Sequence, residues 1–141
     1  MIYIDTSVWI AQHTLETHTE AVQAWFSSND VAAMSSCEWV KTEYASALSI
    51  KLRKRAFDRR AFDAAHARFA ELCAAGPLWL GVADADFTEA ARLCGNPESG
   101  LRAGDALHLA VALRMGCEAL CSLDDVLLRN AGQLGLQPVR P

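Results

Sequence analysis

Met1-Ile2-Tyr3-Ile4-Asp5-Thr6-Ser7 and Ala119-Leu120-Cys121-Ser122-Leu123-Asp124 share one plan: a short apolar run that ends directly on a carboxylate. Further apolar runs at 31–34 and 78–82 are of strand length, and 137–139 adds a last edge strand. Between the runs, segments 16–27, 38–54, 58–75, 86–94, 102–115 and 125–131 carry helical spacing, and Asp5-Thr6-Ser7 opens a further helical turn. Strands alternating with helices predict an α/β/α sandwich around a parallel sheet of four to five strands. Local punctuation agrees. Asp86-Phe87-Thr88-Glu89 reads as a capping-box start, Gly76-Pro77 stops a helix, and 96–100 forms a loop.

The 141 residues suit one domain, 1–141, and 52% hydrophobic content supplies a sizeable core. A net charge of −4 argues against a uniformly basic surface, so any nucleic-acid contact is expected to be regional. The five cysteines form no CxxC pair and fall in apolar patterns, which fits a reducing cytoplasm; they are not spaced with His13, His18, His66 and His108 as a zinc site requires. The apolar runs are too short for a membrane span, and no leader-type segment is read at the start.

Parallel α/β sheets place ligand sites at the carboxyl ends of their strands. Asp5 and Asp124 each follow a strand at once, so they are expected on one sheet edge. Asp105 heads a helix that is apolar almost all round (Ala106, Leu107, Leu109, Ala110, Val111), where a charge needs a partner or a cation. Glu43 lies on the 38–54 helix beside the stripe of Trp39, Val40, Tyr44, Ala47 and Leu48. Each acid also has a plain structural explanation: Asp5, Asp105 and Asp124 as helix caps, Glu43 as a boundary residue, and Glu38 as first-turn charge. One of Asp124 and Asp125 caps the last helix while the other faces the site, and position in the strand favours Asp124 for the site. His108, one turn after Asp105, reads as a residue behind the site that orients a carboxylate.

Gathered together, four carboxylates repel strongly, so protons or divalent cations must neutralise them. Mg²⁺ fits, because it takes hard oxygen ligands, keeps waters and bridges to phosphate oxygens. That chemistry points to phosphodiester hydrolysis.

In order, Ile4-Asp5-Thr6-Ser7, Glu43 within Glu-Tyr-Ala-Ser-Ala-Leu, Gly104-Asp105-Ala106-Leu107-His108-Leu109-Ala110 and Ser122-Leu123-Asp124 resemble the PIN-domain ribonucleases of the VapC toxin type. The resemblance runs across nearly the whole chain. It implies a Rossmann-like fold, Mg²⁺- or Mn²⁺-dependent cleavage of RNA, a homodimer, and a cognate antitoxin that blocks the site. It carries over Asp5, Glu43, Asp105 and Asp124 as the acidic set, the three aspartates as metal ligands, and Thr6 and Ser122 as hydroxyls near the metal. Ser122 stands where many relatives have threonine.

Lys51, Arg53, Lys54, Arg55, Arg59 and Arg60 crowd one helix junction with only Asp58 among them. They are candidates for RNA phosphate contacts, with a solvated turn or a partner's acidic segment as the other explanation. Two rivals to a ribonuclease are a binding module with a structural cation, and a phosphatase forming an aspartyl-phosphate on Asp5. Haloacid-dehalogenase-type phosphatases carry a second Asp two residues on, where Ser7 stands here.

Overall fold

The computed structural model describes residues 1–141 apart from the side chain of Ala75. The chain runs β1 (Ile2–Ile4), α1 (Thr6–His13), α2 (Thr19–Ser27), β2 (Met34–Cys37), α3 (Trp39–Arg53), α4 (Arg59–Ala75), β3 (Leu78–Leu80), α5 (Asp84–Cys94), α6 (Ala103–Arg114), β4 (Ala119–Cys121), α7 (Asp125–Gln133) and β5 (Gln137–Val139). The five strands form one parallel sheet in the order β3-β2-β1-β4-β5. Helices cover it, as the alternating pattern requires. Among the described residues, no helix is long and apolar enough to cross a membrane.

The order fixes where a ligand can sit. From β1 the sheet grows one way through β2 to β3, then the chain returns and grows the other way through β4 to β5. The crevice between β1 and β4 is therefore the switch point at which open α/β sheets bind ligands. Beyond the strands proper, Asp5 N–H donates to Cys121 O at 3.0 Å and fastens the two strand ends together. Tyr3, Ile4, Leu120 and Cys121 are fully buried there. The core continues through Trp9, Met34, Val40, Tyr44, Leu48, Leu109 and Leu127.

Several sequence expectations shift. The strand expected at 31–34 begins only at Met34. Val31–Ala33 is a single 3-10 turn capped by Asp30, whose carboxylate accepts from Ala32 N–H at 2.9 Å. The strand continues instead through Ser35 and Ser36, which are polar in sequence yet fully buried. Their hydroxyls are satisfied internally: Ser36 Oγ donates to Ile4 O at 2.8 Å and accepts from Trp9 Nε1 at 2.8 Å.

α1 is a full helix where only an opening turn is expected. Its buried Val8, Trp9 and Ala11 leave little polar periodicity to read. α2 starts three residues later than expected, at Thr19. α5 starts two residues earlier, so Asp86 is not the cap but the third helical residue, accepting from Ala83 N–H at 2.8 Å. α7 runs two residues further, to Gln133. β5 holds Pro138 and is an edge strand, where the missing N–H costs no ladder bond.

Candidate active site

Three aspartates reach the crevice as helix caps, and the structural explanation of each coincides with its place in the site. Asp5 caps α1: its Oδ2 accepts from Ser7 N–H at 3.2 Å, Ser7 Oγ at 2.6 Å and Ser122 Oγ at 2.9 Å. Asp105 is the third residue of α6, with Oδ2 at 3.3 Å from Arg102 N–H. Asp124 caps α7, its Oδ1 accepting from Val126 N–H at 2.7 Å and Leu127 N–H at 3.0 Å. In each case one oxygen does the capping, and the other accepts no hydrogen bond among the described residues, although Asp5 Oδ1 lies 3.4 Å from His108 Nε2. All three line one open cleft of about 580 Å³ with Glu43, Thr6 and Arg102.

Asp125 does not share that role. It is exposed and pairs with Arg140, so the cleft wall belongs to Asp124. Glu38 also lies outside, paired with Lys41 at 2.7 Å within α3.

Glu43 is held differently, from behind. Its Oε2 accepts from Thr6 Oγ1 at 2.5 Å and lies 2.6 Å from His108 Nε2. His108 is fully buried, and its Nδ1 lies 2.7 Å from Tyr3 OH. On the other side Glu43 Oε1 rests against Gly104: a Cβ there would lie 2.5 Å from Oε1 and 3.4 Å from Trp39 Nε1. Only glycine leaves room for the carboxylate.

The electrostatics follow from this crowding. Burial, with the charges of Asp5 and Asp124 added, pushes the Asp105 carboxyl up, against the pull of Arg102 N–H and His108. Burial also works against ionised Glu43, but the hydrogen bond and charge of His108, then Thr6 and Trp39, outweigh it and hold the carboxyl below its usual range. Burial would likewise strip His108 of its proton. Its bonds to Cys37 and Glu43 and the charges of Asp5 and Glu43 instead raise it well above the ordinary histidine value.

An acidic cluster with these properties can hold a divalent cation. The tightest group of potential ligands among the described residues is Asp5, Glu43 and His108, whose ligand atoms lie within 4.8 Å of one another. The expected trio of Asp5, Asp105 and Asp124 shares the cleft, but it is not that tightest group. His108 Nε2 already faces Glu43, so direct ligation by the ring would sacrifice that contact. The aspartates, by contrast, keep an oxygen each, and mutual repulsion favours a cation among them. Three helix N-termini, those of α1, α6 and α7, also open onto this cleft and favour anionic groups such as phosphate.

The two hydroxyls read from the sequence hold carboxylates. Thr6 bonds Glu43; Ser122 donates to Asp5 and accepts from Asp124 N–H at 3.0 Å. Sequence reasoning missed Tyr3 and Arg102. Arg102 had a signal, since it stands three residues before Asp105 at the expected helix start. Tyr3 had none beyond strand alternation.

The basic segment is partly neutralised. Lys51 pairs with Glu16, Arg59 with Asp63 at 2.9 Å, and Arg53 bonds Ser49 Oγ at 3.1 Å. Arg53, Lys54, Arg55 and Arg60 make no ion pair with a carboxylate among the described residues. The cleft reaches toward them along α3, from Glu43 past Ser46 and Ala47 to Ile50.

Comparison with known proteins bears on this geometry. The sequence matches the family described as PIN domain over residues 2–133. A search of curated proteins returned no match. Among solved structures, the fold is similar to Mycobacterium tuberculosis VapC20, described as a sarcin-ricin loop cleaving toxin, with a TM-score of 0.76, 20% identity, and 100% of each chain covered. It is also similar to FitAcB from Neisseria gonorrhoeae (TM-score 0.72, 16% identity, 99% of this chain and 96% of that one). VapBC-5 from Mycobacterium tuberculosis, a member of the VapBC family of toxin–antitoxin systems, gives a TM-score of 0.61 at 20% identity, with 99% and 97% covered.

Proposed function

The chain belongs to the PIN-domain family, and on that premise we propose that it is a Mg²⁺- or Mn²⁺-dependent endoribonuclease acting as the toxin of a toxin–antitoxin pair. The observation that carries the reading is the set of three capping aspartates, each with a spare oxygen, at the crevice between β1 and β4. The whole of 1–141 is taken as one PIN-like unit. Its fold-level likeness to toxins of the VapC type supports the toxin assignment and, with it, an antitoxin partner and a homodimer. Cysteines that are free among the described residues favour a reducing cytoplasm.

In this reading Asp5, Asp105 and Asp124 hold the cation and Glu43 stands beside it. A divalent ion there offsets the carboxylate charge, lowers the pKa of an attacking water and stabilises charge on the phosphate. The protein's own contribution is placement: Ser7 and Ser122 fix Asp5, the α7 N-terminus fixes Asp124, and Thr6 and His108 fix Glu43. Arg102, on the cleft rim, and Arg53, Lys54, Arg55 and Arg60 beyond Ile50 offer positive charge to an RNA backbone that enters along α3.

The test is cleavage of RNA by purified protein with Mg²⁺ or Mn²⁺. Cleavage is expected to stop with excess EDTA and with Asp105→Asn. Turnover that survives either change would refute a metal-dependent nuclease; binding without products would favour an RNA-binding module. Expression without a partner should arrest growth, and harmless expression of an active enzyme would point to RNA processing instead.

A further inference from the structure

Tyr3 and His108 are 105 positions apart in sequence, yet they meet at 2.7 Å in the fully buried layer beneath the cleft. Neither lines the cleft wall, so neither can touch substrate. We propose that Tyr3 and His108 form a positioning relay that holds Glu43 in its working orientation. The inference rests on the nuclease reading of the cleft and adds to it a role for residues outside it.

A carboxylate only accepts, so at 2.6 Å from Glu43 Oε2 the His108 Nε2 must carry a hydrogen, and with Asp5 Oδ1 and Thr6 Oγ1 each at 3.4 Å, Glu43 is its nearest partner. Nδ1 then takes Tyr3 OH as its partner, and that bond sets the ring's rotation about its own axis. Thr6 Oγ1 donates to the same oxygen at 2.5 Å, so Oε2 is held from two sides. Oε1 lies close against Gly104, where an added Cβ would come within 2.5 Å of it. A glutamate has three rotatable side-chain bonds and would otherwise sample many orientations. Here donors on one oxygen and a steric wall on the other select one of them. The relay crosses the molecule from β1 through α6 to α3, so the elements that carry Asp5, Asp105 and Glu43 are tied together by the same contacts.

This relay is distinct from ligation. If His108 were a metal ligand, its loss would remove cation binding whatever stood at 43. If it acts through Glu43, its effect disappears once Glu43 cannot accept the bond.

The experiment compares wild type, His108→Leu, His108→Gln, Tyr3→Phe, Glu43→Ala and the double variant His108→Leu/Glu43→Ala. The probes are a single-stranded RNA oligonucleotide for kcat and KM, and Mn²⁺ alone for affinity by calorimetry. His108→Leu is expected to lower kcat and Mn²⁺ affinity about ten- to hundredfold with KM nearly unchanged, as loss of an outer-shell partner does. His108→Gln, which restores an N–H near Nε2, should recover most of that loss, and Tyr3→Phe should lie between. In the Glu43→Ala background, where no acceptor remains, His108→Leu should add nothing.

Additive losses in the double variant, or wild-type kcat in His108→Leu, would overturn the relay. Should His108→Leu fail to fold, the ¹⁵N imidazole spectrum of the metal-free wild type decides: a hydrogen on Nε2 is required, and a bare Nε2 overturns the proposal. Asp105→Asn is the control for the parent reading. If it still cuts RNA the nuclease assignment falls, whereas if it is inactive and the His108 variants are normal, only the relay falls.

Discussion

Asp86 and Arg114 form a two-bonded ion pair that fastens the first turn of α5 to the last turn of α6. Arg114 Nε donates to Asp86 Oδ1 at 2.6 Å and Nη2 donates to Oδ2 at 2.9 Å, while Nη2 also reaches Gly81 O at 2.7 Å. The Asp86 side chain is 1% exposed and that of Arg114 35%. Arg114→Ala leaves a buried carboxylate with only the Ala83 N–H, and is expected to destabilise by about 2–3 kcal/mol, toward the low end for a broken buried pair because the arginine is partly solvated. Burial opposes the Asp86 charge, but Arg114 and the Ala83 N–H outweigh it and hold the carboxyl below its ordinary value of 3.8. A lowered carboxyl stabilises fully above the unfolded value and loses that contribution as pH falls through the folded one. Urea titrations from pH 7 to pH 3 should therefore show wild type and Arg114→Ala converging at the acid end.

Gly104→Ala tests the wall behind Glu43. The added Cβ would sit 2.5 Å from Glu43 Oε1, and the carboxylate must move. The expected outcome is at least about a tenfold fall in kcat with an unchanged far-UV spectrum. Normal cleavage by Gly104→Ala would mean that the exact place of Glu43 does not matter.

Asp105→Asn should separate stability from activity. Burial and the neighbouring charges of Asp5 and Asp124 raise the Asp105 carboxyl, so its ionised form is disfavoured in the folded protein. A raised carboxyl makes folding weaker as pH rises through its titration range. The neutral amide removes that burden, and metal-free Asp105→Asn is expected to melt higher at pH 8 than wild type. The same variant should lose the melting-temperature gain that Mn²⁺ gives wild type. Differential scanning calorimetry with and without Mn²⁺ measures both.

His13 supplies a second pH signature, away from the cleft. Its Nδ1 lies 3.0 Å from Tyr44 OH, and burial, reinforced by the Arg68 charge, lowers it from 6.5 to about 4. A histidine kept neutral by the fold costs stability as pH drops from 6.5 toward 4, because only the unfolded chain takes up the proton easily. His13→Gln should flatten the stability curve across that window. An identical curve in the variant would assign the acid sensitivity elsewhere.

Arg55→Gly should stabilise. Arg55 ends α3 in the left-handed region, at φ 56°, with Ala56 N–H bonded to Lys51 O at 2.9 Å and Arg55 N–H to Leu52 O at 3.0 Å. Glycine relieves about 1–2 kcal/mol of strain and returns part of it as unfolded-chain entropy. A net gain of about 0.5–1 kcal/mol is expected by denaturant titration. RNA affinity measured on the same variant would show whether the arginine's charge contributes there.

The sheet was legible because β1 and β4 are apolar and short, and each ends on its carboxylate. β2 departs from the expected place because two of its four buried positions are Ser35 and Ser36, and the partners of Ser36 at Ile4 and Trp9 are ones that no local pattern reveals. α1 was read only as a turn because a helix buried on most sides loses its polar stripe. At the site, Asp5, Asp105 and Asp124 could be placed from element ends alone. Strand position favours Asp124 over Asp125, and the pairing of exposed Asp125 with Arg140 agrees with it. Tyr3 was invisible: its meaning comes from His108, and only the fold brings the two together.

The sheet order has a consequence for how the protein comes into being. β1 is made first, but its partner on one side is β4, and the crevice has no second wall until residues 119–124 are in place. A growing chain that has passed α6 but not reached β4 therefore carries Asp5, Glu43 and Asp105 without a complete cleft. Closure of the crevice waits on β4, which pairs β1 along Ile2–Ile4 and leads directly into Asp124, so the site is completed by a contact between segments far apart in synthesis.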